Sequence, residues 1–306
     1  MKEPFFFDAN VYRQGASGRL SVDLWRRCVR ARKCDCVLTA ITLLELLESL
    51  TLAPDDESFR ATQEALRLAW EFGGKHVTDF PSTFLKLKIF GIRDVPPDFG
   101  QSDLQRWHRV AMKARTKQDL FECRVPSTVS RRKTYGLSET VIRRTLDKGR
   151  RFLNDQISRL IAEICPEYQS LRARGAKTLL TQDTLRALDS AADSDLEKAA
   201  WAERIVEFVG LDKTIAATPA IISKVTTGLD AALTHAWFIR RQALTSPYRY
   251  ERDTGLIVDS QLLFYLADPS YVLVTNDRRL KSSIAGSSQS GRVLSFADFC
   301  GQAGER

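Results

Sequence analysis

At 306 residues the chain is long enough for two domains, or for one domain with a large insertion, and 43% apolar residues suffice for a real core, which excludes a disordered chain. No window approaches the roughly eighteen uninterrupted apolar residues of a membrane span, and the Phe5–Phe7 run is too short, and followed too soon by Asp8, to be a signal peptide. A soluble, cytoplasmic protein with no membrane partner is the expectation. The net charge of +8 is unevenly placed: residues 104–151 hold 14 Lys and Arg against 4 Asp and Glu, so a basic segment is attached to a roughly neutral body, as suits a polyanionic partner. The six cysteines, at 28, 34, 36, 123, 165 and 300, have neither the density of a disulfide scaffold nor paired metal knuckles, and all six are expected to be reduced.

The chain opens with a buried strand, Phe5–Phe7, and Asp8 at its carboxyl end; residues 11–32 read as a loop and a helix carrying Leu20, Leu24, Trp25 and Cys28. CDCVLTA is a second strand centred on Val37 and Leu38. It runs into ITLLELLESL, a helix whose apolar face is Leu43, Leu44, Leu46, Leu47 and Leu50, with Glu45 and Glu48 three apart. Strand then helix, twice, predicts an α/β domain with a parallel sheet. A helix over 56–72 follows, with Asp55, Asp56 or Ser58 as cap and Gly73-Gly74 as its stop. Residues 76–80 suggest a short third strand, and 82–90 a further helix.

From Ile92 the character changes. Pro96-Pro97 and Gly100 mark the entry to a segment, 93–245, that reads as an all-helical insertion, with helical spacing over 104–117, 137–165, 181–209 and 219–244. Leu153, Ile157, Leu160 and Ile164 lie on one face of a helix or a short coiled-coil seam. Within the basic tract 104–151, Arg131, Arg132 and Lys133 fall in a loop, and Arg143, Arg144, Lys148, Arg150 and Arg151 on a helix. Such residues would bind phosphates and confer salt dependence without reading a base sequence.

The α/β character returns in GLIVDSQLLFYLADPSYVLVTNDRRL, residues 255–280. Asp259 opens a helical run ended by Asp268-Pro269, and YVLVT is a strand that stops at Asn276-Asp277. GRVLSFADF closes the chain as a short strand and a capped turn. The flanks, 1–92 and 246–306, together have the size of one ordinary domain interrupted once.

In a parallel sheet, ligands gather outside the carboxyl ends of the strands, and there Asp8, Glu45, Asp259 and Asp277 would share one rim. Carboxylates so placed repel one another unless a cation neutralises them, and Mg²⁺ or Mn²⁺ is the hard ion that prefers oxygen ligands. Singly, each acid has an ordinary explanation as a cap, a turn residue or a solvated helix residue. Jointly they favour a metal site, because Asp8 ends an apolar run and Glu45 is flanked by leucines, a costly place for an unpartnered charge. His76, His108 and His235 lie in unrelated settings and do not suggest a triad, and no glycine-rich phosphate loop is present.

FFFDAN, TAITLLELLE, Asp259, VTND and VLSFADF together resemble the PIN domain, a fold of metal-dependent ribonucleases that includes the toxins of many bacterial toxin–antitoxin pairs. The resemblance covers the two flanks, about half the chain, with VTND and the acid upstream its most specific part. It implies a PIN-like three-layer α/β/α fold with a central parallel sheet, and a Mg²⁺- or Mn²⁺-dependent nuclease acting on RNA rather than DNA. Asp8, Glu45, Asp259 and Asp277 would be the catalytic, metal-binding acids, and Asn10, Thr39, Thr275 and Asn276 would support them. An antitoxin or other protein partner, and an oligomer, are compatible with it. Glu48 rivals Glu45, Asp253 is a weaker rival to Asp259, and the insertion has no counterpart in the small toxins. The rival reading is a catalytically inactive PIN-like module that binds nucleic acid or acts as a regulatory adaptor through its insertion.

Overall fold

The computed structural model describes residues 3–96, 101–122, 124–126, 134–136, 195–212, 214–215, 218–245 and 254–301. The chain divides into two compact units: residues 1–145 with 265–278 and 291–306, and residues 146–264 with 279–290. These bounds differ from the division at 92 and 245 read from the sequence. The start of the basic tract belongs to the first unit, and residues 254–264 and 279–290 belong to the second.

The first unit is α/β. Its sheet has the order β2–β1–β5–β6, built from β1 (Pro4–Phe7), β2 (Asp35–Val37), β5 (Val272–Val274) and β6 (Val293–Leu294), and every neighbouring pair is parallel. Three consecutive phenylalanines place bulky apolar groups on both faces of β1, as expected of a central parallel strand. Phe5 and Phe7 meet Phe299 edge-on at 5.2 and 5.3 Å, and Phe7 lies 4.7 Å from Trp25, which stacks on Phe72 at 4.2 Å. Phe6 faces the other way, toward Tyr265 at 5.9 Å and Tyr271 at 6.1 Å.

Residues 11–32, read as a loop and one helix, form parts of two helices. α1 (Ala9–Ala16) starts directly after β1 because Asp8 caps it, accepting the Asn10 N–H, and α2 (Val22–Arg32) is capped by Ser21. α3 (Ala40–Leu52) begins at the Thr39 cap, and α4 (Asp56–Gly73) at the Asp55 cap. Gly73 does more than stop α4. A Cβ there would lie 2.6 Å from the backbone N of Leu38, so the residue lets α4 close onto the end of β2. Residues 76–80 make a single parallel bridge, Leu38 to Val77, and no strand, since Pro81 opens α5 (Pro81–Lys88) a few residues later.

The predicted helix over 104–117 is interrupted. α6 (Gln101–Lys113) ends before Asp119 turns back to accept the N–H groups of Arg115 and Thr116 at 2.6 and 3.0 Å, and α7 (Lys117–Glu122) begins there. Arg109 and Lys113 are exposed on α6, and Trp107 and Ala111 are buried. Where only helix was expected, β3 (Arg124–Pro126) pairs antiparallel with β4 (Thr134–Gly136). Arg131, Arg132, Lys133, Arg143, Arg144, Lys148, Arg150 and Arg151 lie outside the described residues, as do Cys123, Cys165, Asp253 and the 153–164 seam. Cys28, Cys34, Cys36 and Cys300 are free thiols.

The described part of the second unit is helical: α8 (Asp195–Phe208), α9 (Pro219–Gly228), α10 (Asp230–Thr245), α11 (Thr254–Leu263) and α12 (Arg278–Ser283). The sequence suggested one helix over 219–244, but it breaks at Gly228-Leu229. There the Gln289 amide accepts the Ala231 N–H and donates to the Gly228 carbonyl, both at 2.9 Å, so the broken backbone keeps its hydrogen bonds. His235 Nδ1 lies 2.6 Å from Ser283 Oγ in the core, and that hydroxyl donates to the Leu280 carbonyl, so the pair is a buried tie between helices. Among the described residues no helix is long and apolar enough to cross a membrane.

Candidate acidic site

The register Phe7 opposite Val274 puts the next residues, Asp8 and Thr275, side by side at the carboxyl ends of β1 and β5. Thr275 Oγ1 donates to Asp8 Oδ2 at 2.8 Å, and the same oxygen accepts the Asp277 N–H at 3.0 Å. Asp8 and Thr275 are buried and Asp277 is half-buried. Asn10 gives Asp8 its backbone N–H at 3.2 Å and its side-chain amide at 3.5 Å.

Glu45 reaches the same place from α3. Its Oε1 accepts from Arg13 Nη1 at 2.8 Å, and the same nitrogen donates to Asn10 Oδ1 at 3.0 Å. Arg13 Nη2 donates to Ser49 Oγ at 2.7 Å, and Ser49 passes its own proton to the Glu45 carbonyl at 2.8 Å. A continuous polar chain thus runs from Asp277 through Thr275, Asp8, Asn10 and Arg13 to Glu45 and Ser49. Glu45, one of the two glutamates three apart on α3, is joined to it through Arg13.

Burial dominates the electrostatics. It pushes the Asp8 carboxyl above its ordinary range, against the Thr275 hydroxyl, the Asn10 N–H and the charge of Arg13, and nearby Asp277 adds to the rise. Glu45 is pushed up to about 7, first by burial and then by the charge of Asp8, with Arg13 opposing both. Asp277 thus raises Asp8 and Asp8 raises Glu45, a row of like charges that Arg13 offsets only in part.

Asp8, Glu45 and Asp277, three of the four acids singled out in the sequence, lie in the first unit, Asp277 within electrostatic range of Asp8 and Asp8 within range of Glu45. Asp259 belongs to the second unit. It does not open its helix as expected: α11 starts at Thr254, and Asp259 is its sixth residue. Two of the supporting residues act less directly than expected. Thr39 caps α3, accepting the Thr42 N–H at 3.1 Å, and Thr42 donates to the Phe7 carbonyl at 3.2 Å, which ties α3 to the end of β1. Asn276 donates to Gln14 at 2.7 Å and accepts the Phe296 N–H at 3.0 Å, pinning the loop after β5 between α1 and the chain's last helix, α13 (Phe296–Gly301).

Sequence reading missed Arg13, Ser49 and Gln14. Ser49 carried a signal, since it follows Glu45 by four residues and so shares its helix face. Arg13 carried none, because its partner is on another helix.

In kind the donors, carboxylate oxygens, suit a hard divalent ion. In spacing they are not drawn together, for among the described residues no three His, Cys, Asp or Glu side chains are gathered closely enough to hold one. The guanidinium of Arg13 holds one of the two Glu45 carboxylate oxygens, Oε1, at 2.8 Å. No protein-family model, curated protein or solved structure matches the chain.

Proposed function

We propose that this chain is a metal-dependent nuclease of the PIN type, an endoribonuclease that hydrolyses phosphodiester bonds, with Asp8, Glu45 and Asp277 holding Mg²⁺ or Mn²⁺ and Asp259 the fourth acid that the resemblance assigns. The observation that carries the reading is the placement of Asp8 and Asp277 just past the carboxyl ends of the neighbouring parallel strands β1 and β5, with Glu45 of α3 within electrostatic range of Asp8 and the Asp8 and Glu45 carboxyls both raised, chiefly by burial. A divalent ion bound there would acidify a water and neutralise phosphate oxygens. The chain's own part is to keep Asp8 oriented through Thr275 and Asn10, and to bring Glu45 within electrostatic range of it. Exposed Arg109 and Lys113 on α6 give the described part of the basic tract a face suited to a phosphate backbone.

The second reading, a module that binds nucleic acid without cleaving it, draws support from the ion pair that already occupies Glu45. One experiment separates the two: incubation with single-stranded and duplex RNA and DNA, with Mg²⁺, Mn²⁺ or a chelator. Cleavage of RNA that the chelator abolishes supports the enzyme. Salt-sensitive binding without cleavage in any metal supports the module.

A further inference from the structure

In the second unit the helices α8, α9 and α10 line a cavity of about 930 Å³, within the usual size range of a small-molecule site. α8 packs against α9, and α9 against α10. Ile222, Ser223, Thr226 and Thr227 come from α9, and Leu233, Thr234 and Trp237 from α10; within each set the spacings of three and four residues put the side chains on one helix face. Such a stripe between packed helices is ordinarily apolar and closes on its neighbour. Here hydroxyls interrupt it, and a cavity remains.

The charges at the cavity are not equivalent. Asp195 and Asp230 open α8 and α10, where a carboxylate meets the positive end of the helix dipole. Asp230 is further satisfied within the chain: its Oδ2 accepts from Ser287 Oγ at 3.0 Å and from the Ser288 N–H and hydroxyl, both at 2.6 Å. Lys198 has no such explanation. It is half-buried at the cavity wall and makes no ion pair or hydrogen bond with any described residue. The hydroxyls of Ser223, Thr227 and Thr234 likewise bond to no described residue. Thr226 gives its proton to the Ile222 and Ser223 carbonyls at 2.9 and 3.2 Å, which leaves its oxygen able to accept.

We propose that this cavity binds a nucleoside monophosphate, with the phosphate paired to Lys198, the ribose hydroxyls bonded to Ser223, Thr227 and Thr234, and the planar base on the wall made by Trp237, Ile222 and Leu233. A half-buried ammonium calls for an anion, a row of hydroxyls for a polyol, and an indole with aliphatic neighbours for a flat ring. A nucleoside monophosphate joins the three in one molecule of a size the cavity holds. Every residue used lies in the second unit, so the site is independent of the acids that follow β1 and β5.

The test is isothermal titration calorimetry on the full chain with AMP, UMP, adenosine and ribose 5-phosphate, in EDTA so that divalent cations play no part. At least one of the two nucleotides is expected to bind with a Kd of about 10–100 µM, and adenosine and ribose 5-phosphate about tenfold or more weakly. Lys198→Met should weaken the nucleotide about tenfold and leave adenosine unchanged, Lys198→Arg should stay within about threefold of the unaltered chain, and Trp237→Leu should weaken nucleotide and adenosine alike by about tenfold. Circular dichroism melts confirm that the variants are folded, and Thr234→Val takes the place of Trp237→Leu should the latter not fold. No binding of either nucleotide at millimolar concentration overturns the proposal. So does nucleotide binding that Lys198→Met leaves at full strength, which would place the ligand elsewhere on the chain, and so does ribose 5-phosphate binding as tightly as the nucleotide, which would leave the base without a role.

Discussion

Thr275 Oγ1 donates to Asp8 Oδ2 at 2.8 Å across 267 residues of chain. The bond follows from sheet order, because β1 and β5 are parallel neighbours and Asp8 and Thr275 each come one residue past a paired position. Since the same hydroxyl accepts the Asp277 N–H, the threonine fixes the distance between the two aspartates.

Removing that hydroxyl leaves a buried carboxyl with the Asn10 donors but without its shortest hydrogen bond. Thr275→Val is nearly isosteric, and it is expected to destabilise the protein by about 1–3 kcal/mol, the range for leaving a buried polar group short of a partner. Thr275→Ser, which keeps the donor, should recover most of the loss. Urea unfolding of the three proteins side by side measures both effects, and equal midpoints for Val and Thr would refute the relay.

Asp8→Asn separates chemistry from folding. Asparagine keeps the cap on α1 and removes a charge that burial disfavours, so the melting temperature should stay level or rise. Metal-dependent cleavage should fall by about 100-fold or more, since even residues one step removed from a metal typically cost 10–100-fold. A variant that melts normally and still cleaves at full rate would exclude Asp8 from the chemistry.

The raised carboxyls make stability depend on pH. Glu45 has an ordinary value of 4.5 and is pushed up to about 7 in the fold, so between those values the folded state holds more proton than the unfolded state. Stability in a chelator is therefore expected to fall as pH rises from about 4.5 to about 7, by at most about 3 kcal/mol from this group, and Asp8 acts in the same direction. Glu45→Gln should flatten the slope. Thermal melts across that window decide it, and a stability that climbs with pH would show that Arg13 outweighs burial.

Arg292 anchors the approach to β5. Its Nη1 donates to the Asp268 and Tyr271 carbonyls at 2.8 and 3.2 Å, and its Nη2 to the Leu266 carbonyl at 2.7 Å, so one side chain holds the turn that aims the strand. Arg292→Met keeps the aliphatic stem and strands the carbonyls; a loss of about 2–4 kcal/mol is expected in denaturant unfolding. Hydrogen exchange should quicken first in residues 266–274.

The strands β1 and β5 and the helix α3 of the first unit were legible because each obeys a local rule. Three phenylalanines ended by an aspartate make a strand and a cap, leucines at helical spacing around Glu45 make α3, and a β-branched run ended by Asn276-Asp277 makes β5. The same rules also misled. Residues 76–80 have strand character, yet their backbone pairs at one residue, and the helical pattern over 219–244 hid a break that only the Gln289 amide, some 60 residues later, makes tolerable.

The sequence by itself determined β1, β2, β5, α3, α4 and their caps, and placed Asp8 and Asp277 past strand ends, since those properties depend on neighbours a few positions away. Only the tertiary structure decided that β1 lies between β2 and β5, that Asp8 meets Thr275, and that Glu45 takes Arg13 as its partner. Strand order depends on how distant segments bury their faces, and the partner of a long charged side chain depends on where two helices come to rest. Neither leaves a periodic trace in the chain.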